Sequence, residues 1–296
     1  MGDINAESQL MRLLNRIGME RLAWSLRRLH CPVGKESLVL DVGSGGNPYP
    51  RANVLVDAYE ETVERYFSAL VKDRPMVFGV AERLPFKNKA FDFVIASHVL
   101  EHSANPEAFL KELMRVGKAG YIETPDAFLE RINPYRFHRL EVTDENGVIL
   151  IKKKNSWKPD AELVSLYEKK VKDKKFIQFL SKHPSPFYMR FYWDERIAYR
   201  IQNPEVSCDW PLPLDVLGDE YKKKRVRPIR SLITRILRFL YSQNRRNKEI
   251  DLLKLLACPV CSGTNLNKNE TELICEGCGA RYLYKNGIPM MCPVVT

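Results

Sequence analysis

No run of about eighteen uncharged apolar residues, the length needed to cross a bilayer as a helix, occurs anywhere in the 296-residue sequence. The first twenty residues lack an apolar core and carry Asp3, Glu7, Arg12, Arg16 and Glu20 instead, so no secretory leader is expected. Acidic residues are missing altogether between Tyr221 and Lys248, where eleven residues are basic. The whole chain holds 47 Lys and Arg against 37 Asp and Glu, so outside that stretch the charges nearly balance. Any attraction to an acidic partner therefore resides in one segment. With 45% hydrophobic and 28% charged residues, a disordered or fibrous chain is excluded. Seven cysteines is an odd count, and four of them stand as two Cys-x-x-Cys pairs near the C-terminus. That usage suits metal binding in a reducing compartment better than a secreted disulfide framework, so a soluble cytoplasmic protein is expected.

Apolar residues at helical spacing from Ser8 to His30 (Leu10, Leu13, Leu14, Ile17, Leu22, Leu26, Leu29) predict one amphipathic helix. Short apolar runs follow at Ser37–Val42, Asn53–Asp57, Met76–Gly79, Phe91–Ala96 and Gly120–Thr124, and read as strands buried on both faces. Helical stretches at Glu60–Val71 and Pro106–Val116 separate some of them. This β-α-β rhythm predicts an α/β fold with a Rossmann-like, doubly wound, mostly parallel sheet. A strand pair is expected at Arg139–Val142 and Gly147–Lys153, and a helix at Ala161–Leu180. The Pro-rich, aromatic stretch from Pro184 to Trp193 receives no separate core.

Leu40-Asp-Val-Gly-Ser-Gly-Gly-Asn-Pro48 puts three glycines straight after a strand, where the chain turns sharply and a ligand can approach the backbone. A dinucleotide fingerprint needs glycine where Pro48 stands, and no Gly-Lys-Ser/Thr follows for a phosphate loop. With Asp41, Gly43, Gly45 and Gly46 in place, the segment resembles the first motif of class I S-adenosylmethionine-dependent methyltransferases. Asp57, ending the second strand, Gly79-Val-Ala-Glu-Arg-Leu-Pro-Phe86 and Phe91 to His102 look like the next three motifs of that family. The resemblance implies S-adenosylmethionine as cofactor, held by Asp41, Gly43, Ser44, Gly45, Gly46, Asp57, Ala81, Glu82 and Ser97. It departs at Val80, where the family usually has an acid, and in the short link from Gly46 to Asn53, which leaves no room for the first crossover helix.

Methyl transfer from a sulfonium requires chiefly that donor and acceptor be held in line and water excluded. Some acceptors also need a base, and His98, His102 and His138 are the candidates, at the end of the fourth strand and after the fifth. Each histidine can equally be a packed structural residue. The Asn/Asp-Pro-Pro-Tyr/Phe set of amide-nitrogen methyltransferases is missing; Ala96-Ser-His-Val99 stands there.

Cys258-x-x-Cys261 and Cys275-x-x-Cys278, thirteen residues apart, have the spacing of a four-thiolate zinc ribbon. Two disulfides or a redox pair are the other reading. The run from Leu252 through Gly287-Ile-Pro-Met-Met291 resembles the small zinc-ribbon family that activates tRNA, rRNA and release-factor methyltransferases as a separate subunit. The resemblance implies Zn2+ and an activator fused in cis. Upstream, residues 228–243 place Ile229, Leu232, Ile233, Ile236, Leu237, Leu240 and Tyr241 on one helical stripe among arginines. The stripe reads as a packed connector, a peripheral contact with an anionic membrane, or an RNA element.

The expected layout is a helical segment (1–36), a methyltransferase core (37–156), a cap that shapes the substrate pocket (157–220), a basic amphipathic connector (221–250) and a zinc-ribbon-like α+β module (251–296). The expected activity is O-methylation of a small molecule, glycan or lipid-linked intermediate. The alternatives are an RNA or translation-factor methyltransferase and a non-catalytic cofactor-binding scaffold.

Overall fold

The structure is a computed structural model and describes residues 6–65, 68–211 and 228–292, the side chains of 228–231 and 233 excepted. Among these residues no helix is long and apolar enough to cross a membrane. The elements in chain order are α1 (Gln9–Arg16), α2 (Glu20–Leu26), β1 (Val39–Val42), β2 (Val54–Asp57), β3 (Met76–Phe78), β4 (Phe91–Ser97), α3 (Pro106–Val116), β5 (Gly117–Pro125), α4 (Ala127–Ile132), β6 (Leu140–Glu145) and β7 (Val148–Lys153). They continue with α5 (Ala161–Leu166), α6 (Lys174–Lys182), β8 (Tyr188–Asp194), β9 (Tyr199–Ile201), α7 (Pro228–Tyr241), α8 (Asn244–Glu249), β10 (Leu266–Lys268), β11 (Glu272–Cys275), β12 (Arg281–Lys285) and β13 (Ile288–Pro289). The main sheet has the order β3-β2-β1-β4-β5-β8. The chain forms two compact units, one of Met1–Pro32, Ser97–Pro106 and Tyr121–Gly218, the other of Val33–Ala96, Glu107–Gly120 and Asp219–Thr296.

In the second unit β1 lies parallel to both β2 and β4, with Leu40 opposite Val54 and Val39 opposite Phe93, and β2 lies parallel to β3. Val39, Leu40, Val54, Leu55, Val77 and Val94 are fully buried, as continuous apolar runs in a two-sided parallel sheet require. The link from β1 to β2 contains no helix. Arg74 takes over part of a helix's work there, its guanidinium donating to the carbonyls of Pro50 (3.0 Å) and Ala52 (2.6 Å). The connector is anchored at its C-terminal end. Asn53 donates to Gln243 and Asn247, Arg74 to Ser242, and Arg246 to the carbonyls of Lys35 and Ser37.

The last module folds as the antiparallel sheet β10-β11-β12-β13 and bonds to the rest of its unit through the backbone. Met290 bridges Phe78 in parallel fashion, and the Met291 N–H donates to the Phe78 carbonyl at 2.7 Å. Lys87 N–H donates to Leu255, and Ala257 N–H to Pro85. β3 thus gains on its outer side a strand-like partner, and the segment Gly79–Phe86 gains a floor.

In the first unit α1 and α2 replace the single expected helix. Gly18, at φ 75°, adopts the left-handed conformation that ends α1, and Met19 N–H returns to the Leu14 carbonyl (2.8 Å). The expected helix at Ala161–Leu180 is also divided: Asp173 caps Phe176 N–H and restarts the chain as α6. β6 and β7 form the expected hairpin, turning through Asn146 and Gly147, and β9 lies parallel to β7. Tyr188–Asp194, left without a core by sequence reasoning, is strand β8, burying Met189, Phe191 and Trp193 on alternate positions.

Candidate functional sites in the two units

The glycine turn lies in the second unit. Gly43 (φ 66°) and Gly45 (φ 56°) adopt the left-handed conformation, so a side chain at either would strain the turn. Asp41, 3% exposed, accepts the Tyr49 N–H at 2.7 Å and closes the loop from below. Ser44 is buried and its hydroxyl has no hydrogen-bond partner, as expected of a polar atom that awaits a ligand. Asp57 ends β2 beside this turn, its Oδ2 accepting the Gly45 N–H at 3.0 Å. Its Oδ1 accepts Tyr59 N–H and the Arg65 guanidinium (2.8 Å).

Among the described residues of 60–71 the expected α-helix does not form, and the chain there is tied down by that ion pair. Arg65 also donates to the carbonyls of Tyr59 and Glu60, and only a short 3-10 turn forms at Val63–Arg65. The segment then crosses the glycines. A Cβ at Gly45 would meet the Arg65 side chain at 3.2 Å, and one at Gly46 the Ala69 carbonyl at 2.8 Å. Ala81 and Glu82 form one turn of 3-10 helix, half-buried, below which Leu84 is fully buried. The turn, the orphaned hydroxyl and the terminal acid make a set that fits an adenosyl cofactor, provided Arg65 turns away.

The histidines lie in the first unit with Ser97. His98 sits at φ 59°, a strained conformation for a residue with a side chain. Its N–H donates to the Glu123 carbonyl (2.7 Å), and its ring lies 3.3 Å from Glu101 and 3.2 Å from Glu123. Burial pulls its pKa down, but the hydrogen bonds to Glu101 and Glu123 more than reverse this and push it up to about 9. His98 is therefore held as an imidazolium near neutral pH and is a poor general base.

Glu123 is fully buried and takes a two-pronged ion pair from Arg27 (2.6 and 2.7 Å) and a hydrogen bond from the Tyr121 hydroxyl. Burial alone would raise its pKa; Arg27 and His98 hold it well below the usual carboxylate range. Arg27 in turn lies over the Trp24 ring at 4.2 Å.

His102 and His138 meet with ring centroids 4.7 Å apart and planes at 87°. Nδ1 of His138 lies 2.6 Å from Glu130, whose other oxygen accepts from Lys154 (2.7 Å) and Tyr135 N–H. Burial, followed by the neighbouring His102, lowers the His138 pKa well below its ordinary value, so the ring is neutral. Glu101, 1% exposed, completes the group.

Sequence reasoning missed Arg27, Glu123 and Glu130. A charged residue inside the apolar strand Gly120–Thr124 was the available signal for Glu123; Glu130 and Arg27 carried none.

In the last module Cys258 and Cys278 sulfurs lie 3.6 Å apart, and those of Cys261 and Cys275 3.5 Å. All four converge within 4.8 Å. Bonds of about 2.3 Å to one tetrahedral zinc place sulfurs about 3.8 Å apart, so the donor set fits a closed structural site. No pair is joined as a disulfide.

Residues 40–122 match the family model for a methyltransferase domain, and residues 249–287 that for the Trm112p-like protein. A UPF0434 protein of Ectopseudomonas mendocina is 46% identical over 44 residues, 14% of this chain and 72% of its own length. The chain belongs to the UPF0434 family through its C-terminal module and carries a methyltransferase domain ahead of it. Another UPF0434 protein, from Methylobacillus flagellatus, is 49% identical over 41 residues, 14% of this chain and 68% of its own. Among solved structures, a complex of the Haloferax volcanii Trm112 methyltransferase activator with a methyltransferase is similar at 17% identity and a TM-score of 0.39, covering 63% of this chain and 96% of that one. Residues 40–122 thus form a methyltransferase domain that shares its chain with a Trm112p-like module.

Proposed function

We propose that this methyltransferase acts on an oxygen of a small molecule, glycan or lipid-linked intermediate, and that the Trm112p-like module serves it in cis as an activator. The observation that carries the acceptor class is what stands at the carboxyl end of β4. Ser97 and His98 lead into Glu101, His102 and, from a later loop, His138 with Glu130. Carboxylates and a neutral imidazole suit binding and deprotonating a hydroxyl. They do not reproduce the Asn-Pro carbonyl pair that grips an amide nitrogen. S-adenosylmethionine supplies the activated methyl group. The Gly43–Gly46 backbone, Ser44, Asp57 and the Ala81–Glu82 turn are the residues proposed to hold it. Among the histidines, His138 is the proposed proton acceptor, because Glu130 fixes its Nδ1 side and leaves Nε2 for chemistry. The test is incubation of the full chain with methyl-labelled cofactor and separate small-molecule, glycan, lipid and RNA fractions, with the labelled product identified by mass spectrometry. A methyl group on RNA, on a translation factor or on nitrogen would overturn the reading.

Arg65 and Asp57 give a sharper check on the cofactor site. Asp57→Ala is expected to weaken cofactor binding by about 1.5–3 kcal/mol, the value of a hydrogen bond to a buried charge. Arg65→Ala, which clears the carboxylate, is expected to tighten it. Calorimetry with S-adenosylhomocysteine decides: binding that ignores Asp57→Ala places the cofactor elsewhere.

The connector supports a peripheral contact with anionic membrane. Leu232, Ile236, Phe239 and Leu240 of α7 are 49–72% exposed along one helical face, within a stretch free of acidic residues. The basic cluster Lys222–Arg227 lies outside the described residues. Flotation with vesicles should rise with anionic lipid, fall with salt and drop on Leu240→Glu; equal binding to neutral vesicles would refute the contact.

A further inference from the structure

We infer that Glu101, His102 and His138 form a second metal site, for a first-row divalent transition-metal ion such as manganese or cobalt. One ligand atom from each residue lies within 4.8 Å of the others. Three ligands about 2.1 Å from a common ion stand about 3.0–3.6 Å apart, so the site closes on the ion by up to roughly 1–2 Å of side-chain movement.

Three independent features point to a cation there. The Glu101 side chain is 2% exposed, and its nearest positive group is Nδ1 of His98, a long contact of 3.3 Å to Oε1 that leaves Oε2 without a hydrogen bond. A carboxylate so buried and so poorly served calls for an ion or a water to complete it. Secondly, Glu130 at Nδ1 of His138 fixes the tautomer in which Nε2 carries the lone pair, and Lys154 and Tyr135 N–H hold Glu130 in place. A carboxylate behind an imidazole is the support that metal-bound histidines receive. Thirdly, the supporting backbone is fixed: Arg139 N–H donates to the Glu101 carbonyl (2.7 Å) and His138 N–H to that of Tyr135 (3.1 Å).

Two imidazoles and one carboxylate favour a first-row transition-metal ion over magnesium or calcium and leave coordination positions open. The donor set also separates this site from the four thiolates of the last module. For the oxygen-acceptor reading proposed above, on which this role rests, an ion held here lowers the pKa of a coordinated hydroxyl, and His138 then serves as its ligand in place of base. The binding itself does not depend on that reading.

The experiment uses the full, zinc-loaded chain. Manganese uptake is followed by the loss of the free-ion electron paramagnetic resonance signal, and cobalt uptake by visible absorption. The wild type should bind one equivalent of either ion. Glu101→Gln and His138→Gln should abolish that binding, and Glu130→Gln should weaken it about 10- to 100-fold, with zinc content and circular dichroism retained. His102→Gln provides the same reading if the Glu101 variant fails to fold. A wild type that takes up neither ion, or variants that bind as tightly as wild type, would overturn the site. A chain that transfers methyl groups equally well with no ion bound here would overturn the ion's role in the reaction and leave the proposed activity standing.

Discussion

Removing zinc, or replacing Cys275 with Ser, should unfold residues 251–292 before anything else and lower cofactor affinity with them. Cys275 is fully buried and its sulfur lies among the other three, so no remaining ligand can complete a tetrahedron. A module this small hides too little apolar surface to fold unaided, and structural zinc contributes about 10–16 kcal/mol in comparable peptides at neutral pH. The loss propagates because the module's backbone is bonded to Phe78, Pro85 and Lys87, which flank the Ala81–Glu82 turn. Chelation titrated against elemental zinc, hydrogen exchange across 76–87 and calorimetry of the cofactor test the chain of effects. Release of one zinc per chain should coincide with new exchange in both segments. A folded module without metal, or full zinc in Cys275→Ser, would show that the cysteines do something else.

Replacing Glu123 with Gln is the second change with a large expected effect. Glu123 has no exposed side-chain surface and Arg27 only 11%. Removing one partner of a buried pair strands the other charge and costs about 3–5 kcal/mol, far more than a surface pair is worth. The pH dependence follows from the direction of the shift. Burial raises the Glu123 pKa, but Arg27 and His98 outweigh it and depress the value in the folded protein. Its stabilisation is therefore fully present above the unfolded carboxyl value of about 4.3 and is lost as pH falls through the folded value. Denaturant melts between pH 7 and pH 3 should show the wild type losing stability with acid more steeply than Glu123→Gln. Equal slopes would mean that the pair does not form.

The parts of this protein legible in its sequence are those fixed by local pattern. Apolar runs located β1 to β5, and Pro106 with the following periodicity located α3 to the residue. Cysteine spacing located the zinc ligands because a Cys-x-x-Cys turn carries its geometry within four residues. What escaped depends on partners distant in sequence. Arg65 reaches Asp57 in place of the helical contacts expected of it, and propensity says nothing of that pair. Arg27 and Glu123 are 96 positions apart and read separately as a surface arginine and a misplaced acid. Gly18 and Asp173 carried local signals that the longer apolar periodicity masked, and each divided one expected helix into two.

The bridge between Phe78 and Met290 has a consequence for how the chain is made. The free side of β3 finds its partner only when a segment more than two hundred residues downstream has left the ribosome. At about 5–20 residues per second, that edge waits for roughly 10–40 s with unpaired backbone groups. An open strand edge is a template for pairing with other chains. Nascent and prematurely terminated copies should therefore be the aggregating species, and zinc supply during synthesis should set the yield of soluble protein more strongly than zinc supplied afterwards.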